Sequence, residues 1–199
     1  MLASVVYQDD EQLLQVLEAT VNGAGSAVSE VAARFDIDSE SLHAQSADWL
    51  RRFDGETLFL NTVSGLGSPW WLAEPAPRFE PAKPRPAADD AIAAVLESVA
   101  FLLAVNLECM RERLGSPTHI VATGGLARVD PLLQALADLA GVTVRRAVSR
   151  EATARGLAFL LAGGPASWPA TVTEQEFVPG PERALHTRYR RWRSLMPPI

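Results

Sequence analysis

Residues 120–134 read IVATGGLARVDPLLQ. An apolar run stops at Gly124 and Gly125, and an Asp-Pro pair follows at Asp130 and Pro131. The run, HIVAT, is too short to be a helix of that apolarity and predicts a buried strand. Asp130 and Pro131 are expected as N-cap and first residue of the next helix, LLQALADLAG, which stops at Gly141. VTVRRAV predicts another strand. Ser149 is expected to cap a helix over EATARGLAFLLAGG, whose small residues Ala152, Ala154, Gly156 and Ala158 leave room for close packing on a sheet. Strand, helix, strand, helix predicts a right-handed parallel unit of an α/β domain.

Two readings of the double glycine follow. In open α/β sheets ligands collect beyond the carboxyl ends of strands, where glycine lets the backbone approach a flat ligand with no Cβ between. The other reading is a structural turn. The helix starts near Asp130 and not at the glycines, and an aspartate cap would repel phosphate, so its N-terminus is not read as a phosphate cradle. The chain contains neither GxGxxG nor GxxxxGK[ST].

Upstream of this stretch lies the longest predicted helix. Asp89 and Asp90 sit at its start, where carboxylates suit free N–H groups. Ile92, Val95, Leu96, Val99, Leu102, Leu103, Met110 and Leu114 recur at three- and four-residue steps, predicting one apolar face, with Gly115 as the stop. Before it, residues 72–88 carry five prolines and read as a surface excursion. TLFLNTV predicts a strand ending at the turn SGLGSPWW. SVVY predicts a strand entering a turn at Asp9 and Asp10, and LLQVLEATV fits either a second strand or a short helix. Helices are expected over SAVSEVAARF, with Ser26 as cap, and over residues 38–53.

Downstream, residues 164–181 read as loop. ERALHTRYRRWRSL predicts a terminal helix, residues 182–196, with Leu185, Tyr189, Trp192 and Met196 on one face and five arginines on the other.

The 199 residues carry a formal net charge of −6, which argues against a general nucleic-acid or anionic-membrane surface. No apolar run is read as approaching membrane-spanning length, and no signal peptide is expected at the N-terminus. Cys109 is the sole cysteine, so no intrachain disulfide can form. His43, His119 and His186 are scattered without metal-ligand spacing. A cytoplasmic protein without a structural metal is expected.

The segment TGGLARVDPLLQALADLAGVTVRRAVSREATARGLAFLLAG resembles the C-terminal signature of the FGGY carbohydrate kinases, with Gln134, Ala137, Asp138, Gly141, Val144, Glu151, Ala152 and Gly156 in register. AVLESVAF with Glu97, FLNTVSGLGSPWW, and SVVYQ with LEATVNGAGSAVSEV resemble upstream segments of the glycerol-kinase-like branch, in order. The resemblance implies an α/β fold that is part of an actin-like, ribonuclease-H-like ATPase domain, with an incomplete sheet and packed helices. Residues 1–199 are then expected to be the partial C-terminal domain of an ATP-dependent sugar or polyol kinase.

The resemblance further implies Mg-ATP or Mg-ADP as cofactor. It brings Gly124 and Gly125 near the adenosine, together with Leu126 and Val129, and puts Gly25 near the phosphates. Val129 stands where the family usually has Ser or Asn facing the adenine. Ser29 and Glu30 stand where it has Gln-Trp. The family's DxGT motif, catalytic aspartate and Gly-Thr-Ser phosphate loop have no counterpart in this sequence. A missing N-terminal kinase half is therefore the expected partner, this chain alone is expected to be inactive, and no catalytic residue is assigned. A homo-oligomer is expected from the uncovered sheet. The alternative is a non-catalytic nucleotide-binding or interaction fragment.

Overall fold

The computed structural model describes residues 1–81, 86–149 and 151–199. The chain opens with a hairpin, β1 (Leu2–Gln8) antiparallel to β2 (Leu13–Glu18). Asp9 shapes its turn by accepting from the backbone N–H groups of Glu11 and Gln12. The ambiguous second segment is thus a strand, because cross-strand partners decide what period alone could not.

Two helices follow, α1 (Gly25–Arg34) and α2 (Ser39–Arg52). Asp38 caps α2 by accepting from the Ser41 N–H at 2.8 Å. Ser26 does not cap α1; its hydroxyl points back to the Asn22 carbonyl, 3.3 Å away. Next come β3 (Leu58–Leu60), β4 (Arg78–Glu80) and the long α3 (Ala88–Leu114). The expected excursion over 72–88 is corrected in part. Arg78–Glu80 pairs antiparallel with β3, where Phe79 lies on Phe59 with ring centroids 4.9 Å apart. The prolines flanking Phe79 confine it to a short edge strand rather than preventing one. Residues 82–85 of that excursion lie outside the described residues.

The second half supplies β5 (Ile120–Ala122), α4 (Asp130–Ala140), β6 (Val144–Ala147), α5 (Ala152–Leu161), β7 (Thr173–Phe177) and α6 (Arg183–Leu195). β5 and β6 are parallel, as their order predicts, and β7 adds antiparallel to β6. β7 lies in the stretch expected as loop; its sequence TEQEF is polar because every residue before the buried Phe177 is exposed to water.

The core is built around α3. From Ala91 to Leu102 every residue is buried, so the expected single apolar face is corrected to burial around the whole circumference. Ala91, Ala93, Ala94, Ala100 and Ala104 let α1, α2, α4 and β3 close in from all sides. An 18-residue window of α3 has a mean hydropathy of 1.9, which corrects the expectation that no run has membrane-spanning character. That window is 78% buried inside the fold, so the apolarity belongs to the core. A second cluster docks α6 on α3 and β3 through Leu185, Tyr189, Trp192 and Met196, the face its spacing predicts. The indole N–H of Trp192 donates to the Phe59 carbonyl at 2.9 Å.

Three expectations in the second half are corrected. Asp130 is the first helical residue of α4 and not its cap; its carboxylate accepts from Arg146 Nη1 at 2.5 Å, leaving Val129 at the cap position. Ser149 does not cap α5, which starts after Glu151 with no side-chain cap. Nor does α5 pack closely on a sheet: it has no buried residue, and Leu157 and Leu161 are exposed. β5 is likewise only half covered, with Val121 open to solvent. Both follow from a three-stranded sheet too narrow to shelter them.

Candidate functional site

α1 enters from Gly25, α2 crosses beside it, and α3 lies beneath both. After β5 the chain turns through Gly124 and Gly125 into a single 3-10 turn, Leu126–Arg128, before α4. Gly124 adopts φ +88°, a conformation that only glycine enters without strain. Between the turn and the two helices lies a cleft of about 580 Å³. Four of the five residues expected to contact a cofactor, Gly25, Gly125, Leu126 and Val129, line this one cleft. Gly124 lines an adjoining polar recess of about 230 Å³ with Asp130, Arg146 and Glu174.

Apolar side chains make the cleft walls. Val28 comes from α1, Leu42 and Ala47 from α2, Leu96 from α3, and Leu126 and Val129 from the glycine turn. Val129 is buried within the core that joins α1, α3 and α4. Its apolarity serves packing at the cap position, where the side chain offers no hydrogen bond. Polar groups are few: Ser29, Ser46, His43, Thr123 and Arg128. Among the described residues no carboxylate lines the cleft, and Arg128 has no side-chain partner. Among the described residues no cluster of His, Cys, Asp or Glu could hold a metal ion.

The two remaining glycines matter for a different reason than Gly124. Gly125 and Gly25 both have ordinary backbone angles, and a Cβ built on either meets no protein atom within 4 Å. Neither strain nor packing inside the protein demands glycine there. Both line the cleft, so a side chain at either would extend into open cleft space.

His43, one of three histidines scattered in the sequence, also lines the cleft, as do Leu42, Ala47 and Leu96, none of which the sequence marks as a cleft residue. No local signal ties residues 42–47 to residues 123–129; only packing of α2 and α4 around α3 does. Glu97 was assigned to the family's helix signature and lies one residue beyond the cleft floor. Its buried carboxylate is held by Arg188, with Nε and Nη2 donating to Oε1 at 3.0 and 2.6 Å. Burial pushes this carboxyl above its ordinary range, and the guanidinium pulls it back. Asp138, in register with the family segment, accepts from Gln134 Nε2 and from the Gly180 N–H, a structural role.

A sequence profile described as the FGGY family of carbohydrate kinases, C-terminal domain, matches residues 2–163. The chain belongs to the FGGY family of carbohydrate kinases. It is similar to a glycerol kinase of Cereibacter sphaeroides, 29% identical over 202 residues that take in 96% of this chain and 41% of the relative. A glycerol kinase of Mycoplasma genitalium is 31% identical over 163 residues, 80% of this chain and 32% of that one. The chain therefore spans about two fifths of the length of the FGGY relatives it matches.

Solved structures agree on the fold. Plasmodium falciparum glycerol kinase with ADP superposes with a TM-score of 0.79 at 19% identity, over 97% of this chain and 40% of that chain. Ligand-bound xylulose kinase from Lactobacillus acidophilus gives 0.72 at 18% identity, over 92% and 39%. The fold is part of the actin-like ATPase architecture of the FGGY kinases, with its sheet incomplete.

Proposed function

We propose that the cleft holds the adenosine of ATP or ADP, and that this chain supplies the nucleotide side of a kinase acting on a sugar or polyol hydroxyl. The observation that carries this reading is the pair Gly25 and Gly125, open onto the cleft and required by nothing else in the protein. The flat walls suit a base: Val28, Leu42, Leu126 and Val129 offer apolar contact on opposite sides. Gly25 opens α1, whose free N–H groups and dipole favour the anionic end of the ligand. Arg128 adds a cation to the cleft lining.

Bound ATP supplies the phosphoryl group that is transferred; this chain's residues bind and orient the nucleotide and keep water from its base. Mg²⁺, where bound with the nucleotide, would shield the charge of its phosphates. The cleft has no carboxylate to take the substrate proton, so the catalytic base belongs to the remaining three fifths of the kinase. That part is the partner in this reading, and the substrate is a sugar or glycerol-like polyol. A cytoplasmic location goes with it, in keeping with the single unpaired cysteine.

Calorimetric titration with Mg-ADP tests the site, and a coupled phosphorylation assay tests the division of labour. Saturable binding without turnover by this chain is expected. Absence of binding removes the nucleotide reading in favour of a non-catalytic interaction fragment. Turnover by the purified chain alone refutes the assignment of the base to the rest of the kinase.

A further inference from the structure

His43 stands on α2 at the cleft wall, between Leu42 and the buried Ser46. Its Nδ1 lies 3.0 Å from the carbonyl oxygen of Ser39, one turn back along the same helix. A carbonyl only accepts, so Nδ1 carries the proton. The neutral ring then has one free polar atom, Nε2, and that atom is an acceptor. It has no protein partner among the described residues. Exchanging tautomers would cost the bond to Ser39, so the ring is held with Nε2 as its acceptor.

The other walls give a base no comparable partner. The side chains of Val28, Leu42, Leu96 and Val129 have no hydrogen-bonding groups, the Ser29, Ser46 and Thr123 hydroxyls rotate to donate or accept alike, and Arg128 only donates. Resting on the nucleotide reading above, with the anionic end of the ligand toward Gly25, the base lies on the α2 side. We infer that His43 is the residue by which this cleft selects its base, accepting at Nε2 from an exocyclic amino group such as that of adenine. The recognition is by one neutral hydrogen bond at a partly open wall, so the discrimination is modest, about five- to tenfold.

The test compares ADP with purine riboside 5′-diphosphate, which differs from it only in lacking the amino group. Both are titrated calorimetrically against the full chain at about pH 8. The unaltered protein is expected to bind ADP about five- to tenfold more tightly. His43→Ala should bring the two affinities together, and His43→Gln, which retains an acceptor, should restore part of the preference. His43 is exposed, so thermal unfolding should be unchanged in both variants. Equal affinities in the unaltered protein, or a preference that survives in His43→Ala, overturn the inference while leaving the nucleotide site standing. Failure of the unaltered protein to bind either diphosphate brings down the nucleotide reading and this inference together.

Discussion

Glycine residues that are identical in the sequence do three different jobs here. Gly124 holds a positive φ, whereas Gly25 and Gly125 leave open space in the cleft, which the proposed function assigns to a nucleotide. Gly55 combines φ +78° with close cover: a Cβ there would run into the Arg188 side chain, over its pair with Glu97. These roles separate in experiment. Gly25→Ala and Gly125→Ala should keep or slightly raise the melting temperature, since alanine is favoured over glycine in helical backbone by up to about 1 kcal/mol. The same variants should weaken ADP binding about tenfold by filling ligand space. Lost stability with unchanged binding would count against the assigned roles. Glu97→Ala leaves Arg188 half-buried without its carboxylate, and denaturant unfolding should show a loss of about 3 kcal/mol. The double glycine was legible in the sequence as a joint with two readings. What its Cβ positions face was not, because that depends on helices distant along the chain.

Among the elements, α6 was the most legible and α5 the least. Leu185, Tyr189, Trp192 and Met196 fall on one face by spacing, and that face meets Phe101, with ring centroids 5.4 Å from both Tyr189 and Trp192. The opposite face was read as five solvated arginines, which is corrected for two of them: Arg188 turns in to Glu97, and Arg193 lies over Trp70. Long side chains on flexible stems reach partners that a helical wheel does not show. Trp192→Ala should cost about 3–5 kcal/mol in denaturant unfolding, from a fully buried indole and its bond to Phe59. Tyr189 gives α6 a pH dependence. Burial, then its hydrogen bond to Glu108, raises its phenol well above the ordinary value. The folded form thus keeps this proton where the unfolded chain loses it, so the contribution is full below about pH 10 and declines as pH rises further. Melting temperature followed from pH 8 upward should fall more steeply for the unaltered protein than for Tyr189→Phe; parallel curves would remove Tyr189 as the cause. α5 looked ready to pack, but its apolar Leu157, Leu160 and Leu161 have no sheet to meet.

At the scale of the whole molecule, the uncovered surfaces share one origin. The β1–β2 hairpin exposes Leu2, Val5, Leu13 and Leu14, and it stands as a separate two-stranded sheet. Such a ladder is marginal alone, and its free edges are templates for another strand. Two copies joined hairpin to hairpin are expected, with light scattering showing a mass that rises with concentration. Val5→Lys on the exposed strand should suppress that rise; a constant monomer mass in the unaltered protein would contradict it. Periodicity and punctuation along the chain determined most of the strands and helices, though not β4 or β7, and the helix stops at Gly115 and Gly141, because each depends on neighbours a few residues apart; the family was legible in the resemblance of segments such as TGGLARVDPLLQ. Only the tertiary structure decided that α3 is buried on every side, that Arg188 is an internal ion-pair partner, that α5 lies open, and that residues from α1, α2, α3 and the glycine turn share one cleft. Those outcomes depend on contacts between segments up to about a hundred residues apart, such as Glu97 with Arg188, and no local pattern encodes which of them form.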